Sequence, residues 1–299
     1  MTARGKDTGM IVKASGGFYT VEIPGGLVEC RARGIFRKEG LKPCVGDNVE
    51  ISVNDDGSGA VEHICKRKNA LVRPPLANLD VMVVVLSVSD PEPNLFVADK
   101  FIAVLEHKHI EPFIAVTKSD LQDSSPLASV YKQAGFLVFQ ISSETGEGVP
   151  ELKESLAGKF SAFSGNSGVG KTSLLNAIDP RIGLEVGEIS KKLGRGRHTT
   201  RTTQIFTLDS GGRVADTPGF SSIDLVQASD IGKGDLPHCF REFEPYIKDC
   251  RFDDCTHTAE IGCGVIRAAE NGYIAETRYG HYKQLFLQVK DIKEWERRN

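Results

Sequence analysis

The chain has 299 residues, 40% of them hydrophobic, enough to bury a sizeable core divided over two or three domains. With 37 Lys and Arg against 40 Asp and Glu, the net charge is −3, so bulk charge does not mark a nucleic-acid binder and any basic surface must be local. No apolar run reaches transmembrane length and residues 1–8 hold no signal-peptide core, which predicts a cytoplasmic protein without a membrane partner, whose seven cysteines are not a disulfide framework.

Residues 9–65 read as β-structure. Gly16-Gly17 signals a hairpin within 9–23, Gly25-Gly26 turns the chain into a run at 27–32, Gly46-Asp47 precedes a run at 48–53, and 55–59 turns into 60–64. About five short strands with glycine turns predict a small OB-type barrel over residues 1–68. Phe18, Tyr19 and Phe36 form either a base-stacking face or core. Arg31, Arg33, Arg37 and Lys38, and the run Lys66-Arg67-Lys68, are local basic clusters, each readable as a solvated face or as an anion contact. Cys30, Cys44 and Cys65 read as small hydrophobes.

Residues 69–230 alternate strand-like and helix-like runs. Strand-like residues 81–88 come first, and 113–116 then feed Thr117-Lys118-Ser119-Asp120. A carboxylate at Asp120 can accept from both the N1–H and the 2-amino group of guanine, while the Lys118 stem packs on the base. Adenine lacks that pair of donors, which favours GTP over ATP. Thr117 stands where Asn is usual, and its hydroxyl can tie neighbouring loops together. After a strand-like run at 136–141, Ser142-Ser143-Glu144-Thr145-Gly146 resembles a loop whose backbone N–H meets the guanine O6.

A helix-like run at 149–156 leads into a strand-like run at 159–164. Then Gly165-Asn166-Ser167-Gly168-Val169-Gly170-Lys171-Thr172 fits G-x-x-x-x-G-K-[ST], with Ser173 opening a helix-like run to 178. Strand, glycine-rich loop and helix are the context in which converging N–H groups and a helix N-terminus hold phosphate. Lys171 would reach the β- and γ-phosphates and the Thr172 hydroxyl would ligate Mg²⁺. A basic loop (Lys191, Lys192, Arg195, Arg197, Arg201) follows, and then Asp216-Thr217-Pro218-Gly219, 44 residues beyond Thr172 at Asp216. There the Asp can hold Mg²⁺ through water and the Gly219 N–H can sense the γ-phosphate. An ordinary small GTPase runs phosphate loop, switches, guanine reader; here the guanine reader comes first, so the core is circularly permuted. Rejoining termini that lie close together keeps the sheet intact.

Cys250-x4-Cys255-x-His257-x5-Cys263 supplies three thiolates and an imidazole, a closed tetrahedral set for one structural Zn²⁺. Cys239, after His238, is an alternative ligand. Residues 265–270 and 277–298 read as helices, the second with an apolar face of Leu285, Val289, Ile292 and Trp295. Arg278, Lys283, Lys290, Lys293, Arg297 and Arg298 on it could face an anionic partner.

The fold class is therefore α/β: a circularly permuted P-loop GTPase core (69–230) with an N-terminal OB-fold β-barrel (1–68) and a C-terminal α-helical zinc-binding module (231–299). Across essentially the whole chain this resembles the RsgA (YjeQ/YloQ) family of small-ribosomal-subunit biogenesis GTPases. The most specific residues are G-N-S-G-V-G-K-T-S-L at 165–174, G-R-G-R-H-T-T-R at 194–201, D-T-P-G-F at 216–220 and the zinc spacing. The resemblance implies GTP and GDP as ligands, Mg²⁺, 30S and 16S rRNA partners, action late in 30S maturation near the decoding region, and hydrolysis that is slow alone and faster on the 30S particle. Carried over, Thr200 is the switch I Mg²⁺ ligand, with Thr199 the alternative.

Phe220 stands where many GTPases place a water-orienting Gln, and it can neither donate nor accept a hydrogen bond. His198 is either the residue that positions water once the particle orders its loop or a contact to rRNA phosphate. The expected form is a monomer. Two function classes remain open: a GTPase activated by an RNA particle in 30S maturation, and a nucleotide-gated RNA-binding protein whose hydrolysis is incidental.

Overall fold

The computed structural model describes residues 4–34, 36, 40–72, 74–183, 203–216 and 230–292. Five strands open the chain: β1 (Arg4–Ser15), β2 (Phe18–Ile23), β3 (Gly26–Ala32), β4 (Asn48–Val53) and β5 (Gly59–Ile64). They pair in the order β1-β2-β3-β5-β4 and close again through β4 on β1, with β3–β5 parallel and the other pairings antiparallel. Alternation along each strand sends Ile11, Val21, Cys30, Val49, Ile51 and Val61 into the barrel, where all are fully buried. Closure leaves this small barrel without a free edge.

The remaining strands are β6 (Ala70–Leu71), β7 (Leu76–Ala77), β8 (Val81–Ser87), β9 (Glu111–Thr117), β10 (Leu137–Ile141), β11 (Phe160–Ser164), β12 (Thr203–Thr207) and β13 (Arg213–Asp216). The helices are α1 (Leu95–His107), α2 (Ser125–Gln133), α3 (Val149–Ser155), α4 (Lys171–Ile178), α5 (Glu244–Ile247), α6 (Gly264–Glu270) and α7 (Glu276–Val289). The chain forms two compact units, one of residues 1–81, 156–163 and 187–218, the other of residues 82–155, 164–186 and 219–299.

In the first unit β12 runs antiparallel to β1 (Lys13 opposite Gln204) and to β13, which is parallel to β11. Two of the aromatic residues open to either reading are core: Tyr19 is 6% and Phe36 5% exposed, whereas Phe18 is 38% exposed with the Arg31 guanidinium 4.6 Å from its ring centroid. The basic run at 66–68 is in large part structural. Arg67 makes two hydrogen bonds, of 2.7 and 2.8 Å, to the fully buried Asp47, and Lys68 pairs with Asp80 at 2.5 Å. Arg33 is paired with Glu62 at 2.7 Å. Burial pushes the Cys30 thiol up to about 11 and Cys44 to about 12, as expected of inert core thiols. Arg37, Lys38 and the basic loop at 191–201 lie outside the described residues.

In the second unit the order is β10-β9-β8, with β9 and β10 parallel. Every residue of β8, and every residue of β9 but Glu111, is buried, as for strands covered on both faces. Asn94 caps α1 by accepting from Val97 N–H at 3.1 Å. The C-terminal helices bury Val265, Tyr282, Leu285 and Val289 with Phe240 and Phe243. Arg278 corrects the sequence expectation: it is fully buried in this core rather than facing an anionic partner. Lys293, Trp295, Arg297 and Arg298 lie outside the described residues, and among the described ones no helix is long and apolar enough to cross a membrane.

Candidate functional site

Residues 165–170 link β11 to α4. Gly165 passes so close to β8 that a Cβ there would stand 2.4 Å from the Val85 carbonyl oxygen, so only glycine fits. Gly170 takes φ +91° and caps α4 without a side-chain hydrogen bond, which leaves the first-turn N–H groups available to an anion. Lys171 folds back and donates to the carbonyls of Gly165 (2.5 Å) and Asn166 (2.7 Å). Burial of this ammonium, whose acceptors among the described residues are neutral carbonyls, lowers its pKa to about 8. A lysine whose charge is held weakly, beside open helix N–H groups, is a site that a phosphate would complete.

The loop after β9 reaches this one directly. Thr117, buried at the end of β9, donates its hydroxyl to the Val169 carbonyl at 2.6 Å, with the Leu86 carbonyl at 3.1 Å as a weaker second acceptor. Lys118 adopts φ +63°, and its ammonium donates to the Asp90 carbonyl. Ser119 N–H bonds the Ile141 carbonyl at 3.2 Å, which draws the loop at 142–146 alongside. The Ser119 hydroxyl is buried without a hydrogen-bond partner among the described residues, and Asp120 is exposed. Within the neighbouring loop, fully buried Ser142 accepts from Thr145 N–H at 3.1 Å, with Ser143 half-buried beside it. Thr172 and Ser173 lie in the first turn of α4.

The structure thus brings together 117–120, 142–146 and 165–173. Asp216 ends β13. His198, Thr199, Thr200, Thr217, Gly219 and Phe220 lie outside the described residues.

The second cluster is a candidate metal centre. One donor atom each from Cys250, Cys255, His257 and Cys263 falls within 4.8 Å of the others. Cys250 Sγ is 3.8 Å from Cys263 Sγ, and His257 Nδ1 is 3.5 Å and 3.4 Å from those two sulfurs. Thiolates bound at ~2.3 Å to a tetrahedral ion stand about 3.8 Å apart, and sulfur–nitrogen edges are about 3.5 Å, so Cys250, His257 and Cys263 match one face of a Zn²⁺ tetrahedron, with the Cys255 donor within 4.8 Å of all three. Burial pushes the Cys255 thiol up to about 12 and raises Cys263, while burial lowers His257, so a cation is needed to draw thiolates out of this set. Cys239 stays apart, with its thiol donating to the Asp235 carbonyl at 3.3 Å, and His238 pairs with Glu244 at 2.6 Å.

Residues outside the sequence expectation order the metal loop. Glu260 accepts from the N–H groups of Thr256 (2.7 Å), Thr258 (3.0 Å) and Ala259 (3.1 Å) and from the Thr256 hydroxyl. Although burial opposes it, these bonds bring its pKa down to about 2. Tyr279 and Tyr282 donate to the carbonyls of His257 (3.0 Å) and Thr256 (2.6 Å). The only sequence signal for Glu260 is a lone carboxylate three residues past a ligand.

A strand, glycine-rich loop and lysine-bearing helix, reached by a guanine-type loop that precedes them in the chain, define a circularly permuted P-loop GTPase. The chain matches the RsgA GTPase family over residues 64–226 and the RsgA N-terminal domain over residues 8–61. It is 44% identical over 286 residues to the small ribosomal subunit biogenesis GTPase RsgA of Caldanaerobacter subterraneus subsp. tengcongensis, covering 95% of this chain and 96% of that one. It is 41% identical over 291 residues to the protein of the same name from Geobacillus thermodenitrificans, covering 95% and 98%. Among solved structures, YjeQ from Thermotoga maritima aligns with a TM-score of 0.78 at 38% identity, covering 97% of this chain and all of that one. YloQ, described as a circularly permuted GTPase, aligns at 0.77 with 34% identity and 97% of both chains covered. The chain belongs to the RsgA GTPase family and is a GTP hydrolase.

Proposed function

We propose that this protein is a cytoplasmic assembly factor of the small ribosomal subunit that hydrolyses GTP to GDP and phosphate late in 30S maturation, with turnover stimulated by the particle and coupled to release. The names of its relatives support the ribosomal part. The bond from Thr117 to Val169 carries the nucleotide part, because it fastens a guanine-type loop to a phosphate-type loop in one site.

In this reading Asp120 accepts from the guanine donors, Lys118 covers the base, and the loop at 142–146 offers N–H to O6. The N–H groups of 165–173 and the ammonium of Lys171 neutralise the phosphates. Thr172 and Thr200 are the proposed Mg²⁺ ligands, with Asp216 behind a water; the ion, when bound, offsets charge on the β- and γ-oxygens. Gly219 N–H meets the γ-phosphate. Phe220 cannot orient the attacking water, which leaves that role to His198 or to the particle and keeps turnover by the protein alone slow. Cys250, Cys255, His257 and Cys263 hold one structural zinc. The parts 1–68, 69–230 and 231–299 serve as particle grip, switch and second grip, and 16S rRNA is the proposed surface they meet.

The test is GTP turnover by the intact protein with and without purified 30S or 50S subunits. Stimulation by 30S but not by 50S is expected. Equal rates in all three conditions would overturn the ribosomal part and leave only a slow GTPase.

A further inference from the structure

Arg278 of α7 is buried, and each nitrogen of its guanidinium makes a hydrogen bond to a carboxylate. It donates to Asp99 of α1 at 2.8 Å and to both oxygens of Glu242 at 2.7 and 3.0 Å, beneath the Phe240 ring, whose centroid is 4.7 Å away. His281, one turn further along α7, meets the other Asp99 oxygen at 2.5 Å. Burial would raise the pKa of Asp99, but Arg278 and His281 hold its carboxyl below the usual range, so it stays an anion in the core. Truncating one member of such a set strands a buried charge, so the arrangement is kept only while every partner is in register.

Asp99 lies five residues past Asn94, the cap of α1, and the segment before that cap lies at the nucleotide site. Val88 N–H bonds the Thr117 carbonyl at 3.2 Å, the Asp90 carbonyl accepts from Lys118, and Pro91 is near enough to Gly168 that a Cβ there would stand 3.2 Å from its Cδ. The same short stretch of chain therefore contacts the guanine-type loop and the phosphate-type loop at one end and leads to the buried carboxylate at the other. The far end of α1 carries a separate tie. Arg241 bonds Glu106 at 2.6 Å and Glu111 at 3.0 and 3.1 Å, away from residues 88–91.

We infer that Arg278 and His281, through Asp99, are positioning residues for the nucleotide site: the C-terminal module holds α1 in the register that keeps residues 88–91 against the 117–120 and 165–170 loops, and so sets how fast guanine nucleotide leaves. This rests on the reading of those loops as the GTP site. By linkage, whatever displaces the module alters nucleotide affinity, and bound nucleotide alters the module by the same factor.

The experiment follows release of N-methylanthraniloyl-GDP from the full zinc-loaded chain by stopped flow, with zinc content and thermal unfolding measured on the same samples. His281→Gln and Arg278→Lys are the variants, and Arg241→Lys, at the remote tie, is the control for general loosening. Release at least fivefold faster in His281→Gln and Arg278→Lys is expected, with zinc retained, and within twofold of the parent in Arg241→Lys even where its Tm falls. Should Arg278→Lys fail to fold, His281→Gln decides, since its site is partly open to solvent. Unchanged release in folded, zinc-loaded variants, or equal acceleration in all three, overturns the inference. Failure of the parent to bind the nucleotide at all would instead overturn the reading of the loops.

Discussion

The hydroxyl of Thr117 lies 2.6 Å from the backbone carbonyl of Val169, so the end of β9 is tied to the middle of the phosphate-type loop. A hydroxyl has one proton to give, and the shorter of its two contacts takes most of it. The departure from Asn at this position thus keeps the tie with a shorter side chain, because β9, buried from residue 112 onward, carries Thr117 close to the loop.

Thr117→Val keeps the shape and removes the donor, leaving a buried carbonyl unpaired at a cost of about 1–3 kcal/mol. Reduced stability in urea and GDP binding weaker by about tenfold are expected, with Thr117→Ser close to the parent in both. A Val variant matching the parent in denaturation and titration would show that the bond is incidental.

Lys171 makes nucleotide affinity depend on pH in a defined direction. Its pKa is about 8 without phosphate, and a bound polyphosphate favours the ammonium. Above that pH, binding must take up a proton, so affinity is complete at pH 7 and lost as pH rises through about 8, by up to roughly tenfold per unit. Calorimetry of GDP binding at pH 8.5 in two buffers of different ionisation enthalpy should show net proton uptake in the parent, and Lys171→Ala should show neither uptake nor turnover. An identical binding enthalpy in both buffers for the parent would contradict the assigned role.

Much of the fold was legible because its signals are local. Glycine turns and period-two alternation mark the barrel strands, and strand-to-loop-to-helix context marks 160–178. Arg278 was not legible. It sits among other basic residues of its helix, and its partners Asp99 and Glu242 are 179 and 36 positions away. Arg67 is the same case at shorter range, a member of a basic run whose partner Asp47 is 20 positions back. Periodicity reports which face is apolar; it cannot report that a buried cation has found two carboxylates and an aromatic lid.

Asp120 is exposed at the end of a loop fixed by Thr117 and Ser119, free to meet a base. Asp120→Asn presents an amide donor to the guanine donors, whereas the 2-oxo group of xanthine can accept from it. Affinity for GTP should fall by roughly 10²-fold or more, with xanthosine triphosphate preferred, since a site built to pair a polar edge rejects its mismatch strongly. Competition of both nucleotides against labelled GDP measures the switch, and unchanged GTP affinity would remove Asp120 from the guanine site.

The metal loop separates ligand loss from loss of its support. Cys255→Ser removes one corner of a closed tetrahedron, and the purified protein should contain far less than one zinc and unfold at a lower temperature, because binding energy in such a site is folding energy. Glu260→Gln leaves all four donors and replaces a carboxylate held by three N–H groups with an amide oxygen that accepts more weakly. It should still bind one zinc per chain yet yield it to a chelator ~10–100 times more readily, the range seen when groups that orient metal ligands are altered. Acid adds a second handle of known sign. The Glu260 pKa is lowered to about 2 in the folded protein, so the stability it contributes is complete above its unfolded value of ~4.3 and lost as pH falls through about 2. The parent should therefore resist acid unfolding of the loop better than Glu260→Gln between those pH values and lose that advantage below them. Equal chelator rates for parent and variant would show that the ligands alone, without Glu260, set the geometry of the site.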